Sequence, residues 1–211
     1  MNFTFGILTR YDDEEKLNEV IDSIHNLKIK EKGGDYQILV IGGQKKEGSE
    51  HVRYIYFDES VKDGWVTKKK NLLARAANHQ NIVLMHDYFV FDEKWYDGFL
   101  EFGNNWDICS CPQILINGKR HFTDWVTWDS PIFPRYTALP YDEWTHVNYM
   151  YQSGGFTIAK TQLIIDNPFN ESLAWGQAYD VEWSLRVRDK YRYVCNKNSV
   201  VRHNKAHRDA K

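Results

Sequence analysis

An apolar run, Asn81-Ile82-Val83-Leu84-Met85, passes without a break into His86-Asp87-Tyr88. A run of that length fits one buried strand, and its end would deliver an imidazole and a carboxylate to the rim of a sheet. In open α/β sheets that rim is where ligands bind. Ionised Asp87 suits a hard divalent cation, Mg²⁺ or Mn²⁺, and His86 is better tolerated by Mn²⁺. Such a cation neutralises a diphosphate leaving group. Farther on, the segment from Trp175 to Arg186 sets Asp180 and Glu182 near a helix start, where negative charge is favoured. Asp180 there has the character of a general base. Glu182 and Arg186 stand four residues apart, so an ordinary surface ion pair explains them equally well. A last strand-like run, Ser199-Val200-Val201-Arg202, ends on His203, a candidate third metal ligand, with His207 a weaker one. Together these segments point to a metal–nucleotide site.

Three further groups carry two readings each. Lys68-Lys69-Lys70 fits a solvated helix face, or one or two phosphate contacts beside a diphosphate. Asn71 follows, able to hydrogen-bond a nucleotide or the strand rim. Gly154-Gly155 lets a ligand approach the backbone closely, or forms a turn. Eight tryptophans and 15% aromatic residues suit either sugar stacking or a large aromatic core. Cys109, Cys111 and Cys195 lack zinc-ligand spacing and read as buried free thiols of a reducing compartment.

The elements that must position these residues follow from hydrophobic period. Residues 3–8, 36–41, 52–57 and 82–85 read as strands, and residues 13–27 and 67–78 as helices. The order β-α-β-β-α-β predicts a largely parallel sheet covered by helices. Right-handed crossovers would gather Thr9-Arg10, Gly42-Gly43, Asp58-Glu59 and His86-Asp87 on one rim. Residues 93–102 read as a helix. Residues 106–116 and 119–128 read as a hairpin about Asn117-Gly118. Residues 130–146 read as irregular, 156–159 as a strand leading into a helix, 178–190 as a helix and 191–202 as a last strand region.

The chain has 211 residues and a net charge of -2, enough for one domain and without the basic field that nucleic acid requires. No stretch approaches the ~20 apolar residues of a membrane span, and no signal peptide is read at the N-terminus.

In order and spacing these segments resemble the GT-A fold glycosyltransferases, the family 2 type in particular. The resemblance implies a Rossmann-like α/β fold, a mostly parallel central sheet flanked by helices with a smaller mixed β/loop acceptor half. It covers residues 1–205 as a single domain. The nucleotide-sugar half is roughly 1–105, the acceptor half roughly 106–205, and 206–211 a polar tail leading to further domains. Thr9 and Arg10 take the place of the nucleotide-contacting loop, with Gly42, Gly43 and Asp58 on the same rim. Gly64 with Lys69, Lys70 and Asn71 matches a donor-side helix signature. Asp87 falls on the second, metal-binding position of an Asp-x-Asp motif whose first position is Met85, so the motif is degenerate. Gly154-Gly155-Phe156 matches a Gly-Gly turn before a short strand. Tyr179-Asp180-Val181-Glu182 places the base of inverting members on Asp180, with Glu182 orienting the acceptor and His203 completing the metal site.

The implied reaction moves a sugar from a nucleoside diphosphate, a UDP-sugar such as UDP-glucose or UDP-rhamnose, to an oligosaccharide or glycoprotein hydroxyl with Mn²⁺ or Mg²⁺. Trp125, Trp128, Tyr136, Tyr141 and Trp144 are expected to wall the acceptor or to form a mini-core. A narrower resemblance, to the N-terminal domain of chlorella virus glycosyltransferases of capsid glycans, implies a cytoplasmic protein, in the host cytoplasm if viral. Two other readings stay open. A nucleotidyltransferase would carry a Gly-rich basic loop after the first strand, where this chain has Thr9-Arg10-Tyr11-Asp12-Asp13. A non-catalytic glycan-binding module would explain Met85 in place of an aspartate.

Overall fold

The computed structural model describes residues 1–145 and 147–205. Its first half follows the apolar periods closely: β1 (Phe3–Leu8), α1 (Glu14–His25), β2 (Tyr36–Gly42), β3 (Val52–Tyr56), α2 (Val66–Ala76) and β4 (Asn81–His86). α1 starts where Asp13 accepts from the Lys16 backbone N–H at 3.1 Å, with Glu14 and Glu15 in its first turn. α2 has no side-chain cap, and lysines crowd its first turn, which its dipole disfavours. Distant acceptors offset this: Lys68 reaches Glu171 at 2.7 Å, Lys69 pairs with Glu59, and Lys70 donates to the Gly154 carbonyl at 2.6 Å. Tertiary contact, not local propensity, fixes this helix.

The second half is built from shorter pieces: β5 (Phe89–Phe91), α3 (Trp95–Phe102), β6 (Ile108–Ser110), β7 (Gln113–Ile114), β8 (Val126–Trp128), β9 (Tyr136–Ala138), β10 (Met150–Tyr151), β11 (Phe156–Lys160), α4 (Thr161–Asp166), α5 (Tyr179–Val187), β12 (Tyr193–Cys195) and β13 (Val201–His203). The central sheet runs β12-β6-β11-β4-β1-β2-β3. β1 to β4 are mutually parallel, and β11 is antiparallel to both β4 and β6. Two three-stranded sheets, β10-β8-β9 and β5-β13-β7, complete the chain.

The sheet is buried on both faces. Phe3, Phe5 and Ile7 pack with Leu17, Val20, Trp95 and Phe99 on one side, and Leu39, Leu84, Leu73, Ile164 and Trp183 fill the other. No helix among the described residues is long and apolar enough to cross a membrane.

Three expectations change, the simplest being that residues 130–146, expected to be irregular, contain β9, which pairs with β8. The Asn117-Gly118 turn forms, with Leu115 N donating to Lys119 O at 2.8 Å, but its arms do not become a hairpin. A single bridge joins Ile114 to Arg120; β7 then pairs with β13, and β8 with β9 and β10. The cause is Asp124, fully buried, which draws in Arg120 and bends the returning arm. The last strand region is two strands in different sheets, separated by a turn at residues 196–199.

Candidate active site

Parallel register brings the first two candidates together. Leu8 and His86 are partners across β1 and β4, so Thr9 and Asp87 meet one residue farther on. Thr9 Oγ1 donates to Asp87 Oδ2 at 2.6 Å and accepts from Tyr11 N at 2.8 Å. Burial raises the Asp87 pKa, and the Thr9 hydroxyl pulls it partly back. Both residues line a cavity of about 360 Å³ with Arg10, Lys16, Asp63, Gly64, Lys69 and Lys205, within the range of small-molecule sites. Its cations are largely pre-paired. Arg10 holds Asp63 at 2.7 Å and Lys16 holds Asp13 at 3.0 Å, both in exposed pairs. Lys69 is buried against Glu59, its amine 5.3 Å from the Phe57 ring centre.

A second cavity, about 570 Å³, is lined by Gln113, His121, Phe122, Ser153, Gly155, Asp180 and His203 among others. Ala178, before α5, takes a φ of 54°, a left-handed conformation that costs an ordinary residue roughly 1–2 kcal/mol. Asp180 follows in the first turn. Its Oδ2 accepts from the Tyr151 hydroxyl at 2.5 Å and from Gly154 N at 2.9 Å, and Oδ1 from Val181 N at 3.0 Å. Burial and the Asp180 charge push the Tyr151 phenol well above its ordinary pKa, so it stays a donor.

Gly154 is required by crowding. A Cβ there would fall 2.3 Å from the Tyr179 hydroxyl and 2.9 Å from Asp180 Oδ2. Beneath it the fully buried Lys70 amine and the Tyr179 hydroxyl both donate to its carbonyl, at 2.6 and 3.0 Å. Burial lowers the Lys70 pKa to about 7.

The two cavities share His86, Tyr88 and Trp175. The His86 ring stacks on Tyr88 at 5.6 Å, and its backbone N–H donates to Gly155 O at 3.1 Å. Burial, then the nearby Lys70 and Lys69 charges, lower its pKa to about 3, so the wall between the cavities is neutral at physiological pH. Trp175 is 71% exposed, held through its backbone N–H to Gly64 O at 2.8 Å.

Several candidates sit elsewhere. Gly42 packs two rim loops, a Cβ there falling 2.6 Å from Thr9 O, and neither it nor Gly43 lines the first cavity. Asp58 instead accepts from Ser60 N and Oγ, closing a turn. Lys70 and Asn71 face inward rather than toward phosphate. Asn71 clamps Phe169 through paired bonds of 2.9 Å and reaches Glu171 at 3.0 Å. Glu182 is closed by Arg186 at 2.9 Å and does not line the second cavity, since its position in the helix turn points it to a neighbour four residues on. Met85 is fully buried in the core, so its position does not present a side chain to the rim.

The two expected metal ligands line neighbouring cavities. Asp87 is drawn by Thr9 into the first cavity, whereas His203 packs among Tyr88, Phe89 and His121 on the second. Among the described residues no three His, Cys, Asp or Glu side chains gather as metal ligands. His207 lies outside the described residues. The expected aromatic wall is split: Trp125 is buried, the Tyr141 hydroxyl donates to Asp124 at 2.5 Å, Tyr136 packs on Phe122 and Tyr151, and none of the five residues itself lines the second cavity. Spacing alone did not reveal Tyr151, Asp63 or Phe122; for Trp175 the signal was its place five residues before Asp180.

No protein-family model and no curated protein sequence matches the chain. Solved structures do. The fold is that of the GT-A glycosyltransferases, with the same central sheet flanked by helices. The structure of S. aureus TarS 1-349 in complex with UDP-GlcNAc superposes with a TM-score of 0.66 at 11% identity, covering 98% of this chain and 60% of that one. GalNAc-T7 with UDP, GalNAc and Mn²⁺ gives 0.69 at 10% identity, covering 100% and 44%. This chain thus spans 60% or less of either neighbour's length, and at such identities the likeness establishes the fold alone. Nothing in these neighbours supports the narrower viral resemblance.

Proposed function

We propose that the protein is a glycosyltransferase that moves a sugar from a UDP-sugar to a glycan hydroxyl with inversion. The observation that carries this reading is a pair of cavities meeting at His86, Tyr88 and Trp175, with Asp87 on one and Asp180 on the other. A donor in the first and an acceptor in the second would place the leaving group and the attacking hydroxyl on opposite sides of the sugar carbon. Uridine donors are favoured because TarS and GalNAc-T7, which share the fold, are solved with UDP-GlcNAc and with UDP.

In this reading Thr9 and Arg10 contact the nucleotide. The diphosphate exchanges with Asp63 for Arg10, which is cheap because an exposed pair is worth only about 0–1 kcal/mol. Asp180, oriented by Tyr151 and Gly154, takes the acceptor proton as the new C–O bond forms and the bond to the diphosphate breaks. A divalent cation, if held by Asp87 with His203 and His86, would supply charge neutralisation to the diphosphate.

Binding and turnover across UDP-, GDP- and dTDP-sugars, UDP-glucose, UDP-rhamnose and UDP-GlcNAc included, with Mn²⁺, Mg²⁺ or chelator, tests the reading. Turnover of one UDP-sugar is expected; binding of no nucleotide defeats it. Met85, at the position where the family resemblance places an aspartate, favours a second reading as a glycan-binding module. Glycan affinity without any nucleotide affinity would establish that instead.

A further inference from the structure

Phe122 is 59% exposed on the turn between β7 and β8 and lines the second cavity. A lone exposed phenylalanine needs no explanation. This one stands on a turn pinned at every residue around it. His121 N donates to Gln113 O at 2.7 Å, and Thr123 meets His121 Nδ1 through Oγ1 at 2.7 Å and N at 3.3 Å. Buried Asp124 accepts from Arg120 at 2.8 Å, Trp125 N at 2.7 Å and Gln113 N at 3.2 Å. The ring itself leans on Tyr136, centroids 5.8 Å apart. Rigid placement of an aromatic over a cavity is the arrangement that binds at low entropic cost.

Charge gives a second, independent observation. The first cavity is lined by Arg10, Lys16, Lys69 and Lys205. Among the described residues lining the second there is no Lys or Arg, and Asp180 is its one carboxylate. An anionic group entering there would meet Asp180 with no lysine or arginine on the described lining to bind it, Lys70 being buried beneath and committed to the Gly154 carbonyl. A sugar ring offers an apolar C–H face to an aromatic ring and hydroxyls to Gln113, Thr123 and Ser153.

Resting on the glycosyl-transfer reading above, we propose that Phe122 determines acceptor specificity. An uncharged acceptor sugar stacks on its ring, and anionic sugars are refused.

Saturation-transfer NMR and titration with cellotetraose, chitotetraose and maltotetraose, against a heparin tetrasaccharide, would test this. UDP binding serves as a separate readout. At least one neutral tetrasaccharide should bind, Phe122→Ala should weaken it about tenfold, and Phe122→Trp should restore it. UDP affinity should be unchanged in both variants, and the heparin fragment should not bind. The same neutral glycan on a short peptide should bind with similar affinity. Unchanged glycan affinity in Phe122→Ala, preference for the heparin fragment, binding of the glycopeptide alone, or binding of none of the neutral glycans would overturn the proposal. Loss of UDP binding in the unaltered protein would instead defeat the transferase reading.

Discussion

The two cavities hold their charge in opposite ways. In the first, three of the four described cations are matched to carboxylates, and two of those pairs, Arg10–Asp63 and Lys16–Asp13, are exposed and easily exchanged. In the second, a single carboxylate is fixed by three uncharged donors, Tyr151, Gly154 and Val181. The first is organised to trade partners with an anion. The second is organised to keep one acceptor in one orientation, as a base requires.

The largest effect that would test this contrast is at Asp180. Asp180→Asn keeps an oxygen for Tyr151 and Gly154 but cannot take a proton, so transfer should fall about a thousandfold with donor affinity unchanged. Near-normal turnover in steady-state assays would place the base elsewhere.

Next is Lys70, the support beneath the carboxylate. Lys70→Ala removes a buried side chain and a donor to Gly154 O, and should cost about 2–4 kcal/mol of stability in urea unfolding. The pH dependence has a definite sign. The lysine's pKa is about 7 when folded against 10.5 as the ordinary value, so over that window the unfolded chain binds the extra proton. Stability relative to Lys70→Met should therefore rise from pH 7 toward 10.5, and a flat difference would count against a buried amine.

Thr9→Val removes the hydroxyl that holds Asp87. Donor affinity should weaken by about 1 kcal/mol, roughly fivefold by calorimetry, with no change in glycan binding. The smallest effect is expected at Glu182. Its pair with Arg186 is partly exposed, so Glu182→Gln should shift activity less than about twofold and stability by under about 1 kcal/mol. A large loss there would bring Glu182 back to the acceptor side.

How far the sequence could be read divides along the same line. β1 to β4 are apolar runs closed by polar turns, and each could be placed from its own residues. The strands of the second half are two to five residues long and choose partners far away, as β7 does in pairing with β13 across nearly ninety positions. The Asn117-Gly118 turn was legible because it is local. Its failure to extend was not, because Asp124 lies outside the pattern of the turn. Asp87 and Asp180 were found from their places at a strand end and a helix start. The burial of Lys69 and Lys70 was hidden, since nothing in a basic run announces Glu59 or a carbonyl 84 residues away. Phe122 and Tyr151 carry no spacing signal at all.

β11 enters the sheet late in the chain and antiparallel, between β4 and β6. Until it does, β4 has no neighbour on that side, and its bare edge is an invitation to pair with other chains. A fragment ending near residue 105 would carry that edge permanently and should aggregate. On the ribosome the exposure is temporary. Roughly seventy residues separate the end of β4 from the start of β11, which at about 5–20 residues per second is roughly 4–14 s of synthesis. The nascent chain therefore spends that interval with its apolar edge open, and chaperone demand should be concentrated there.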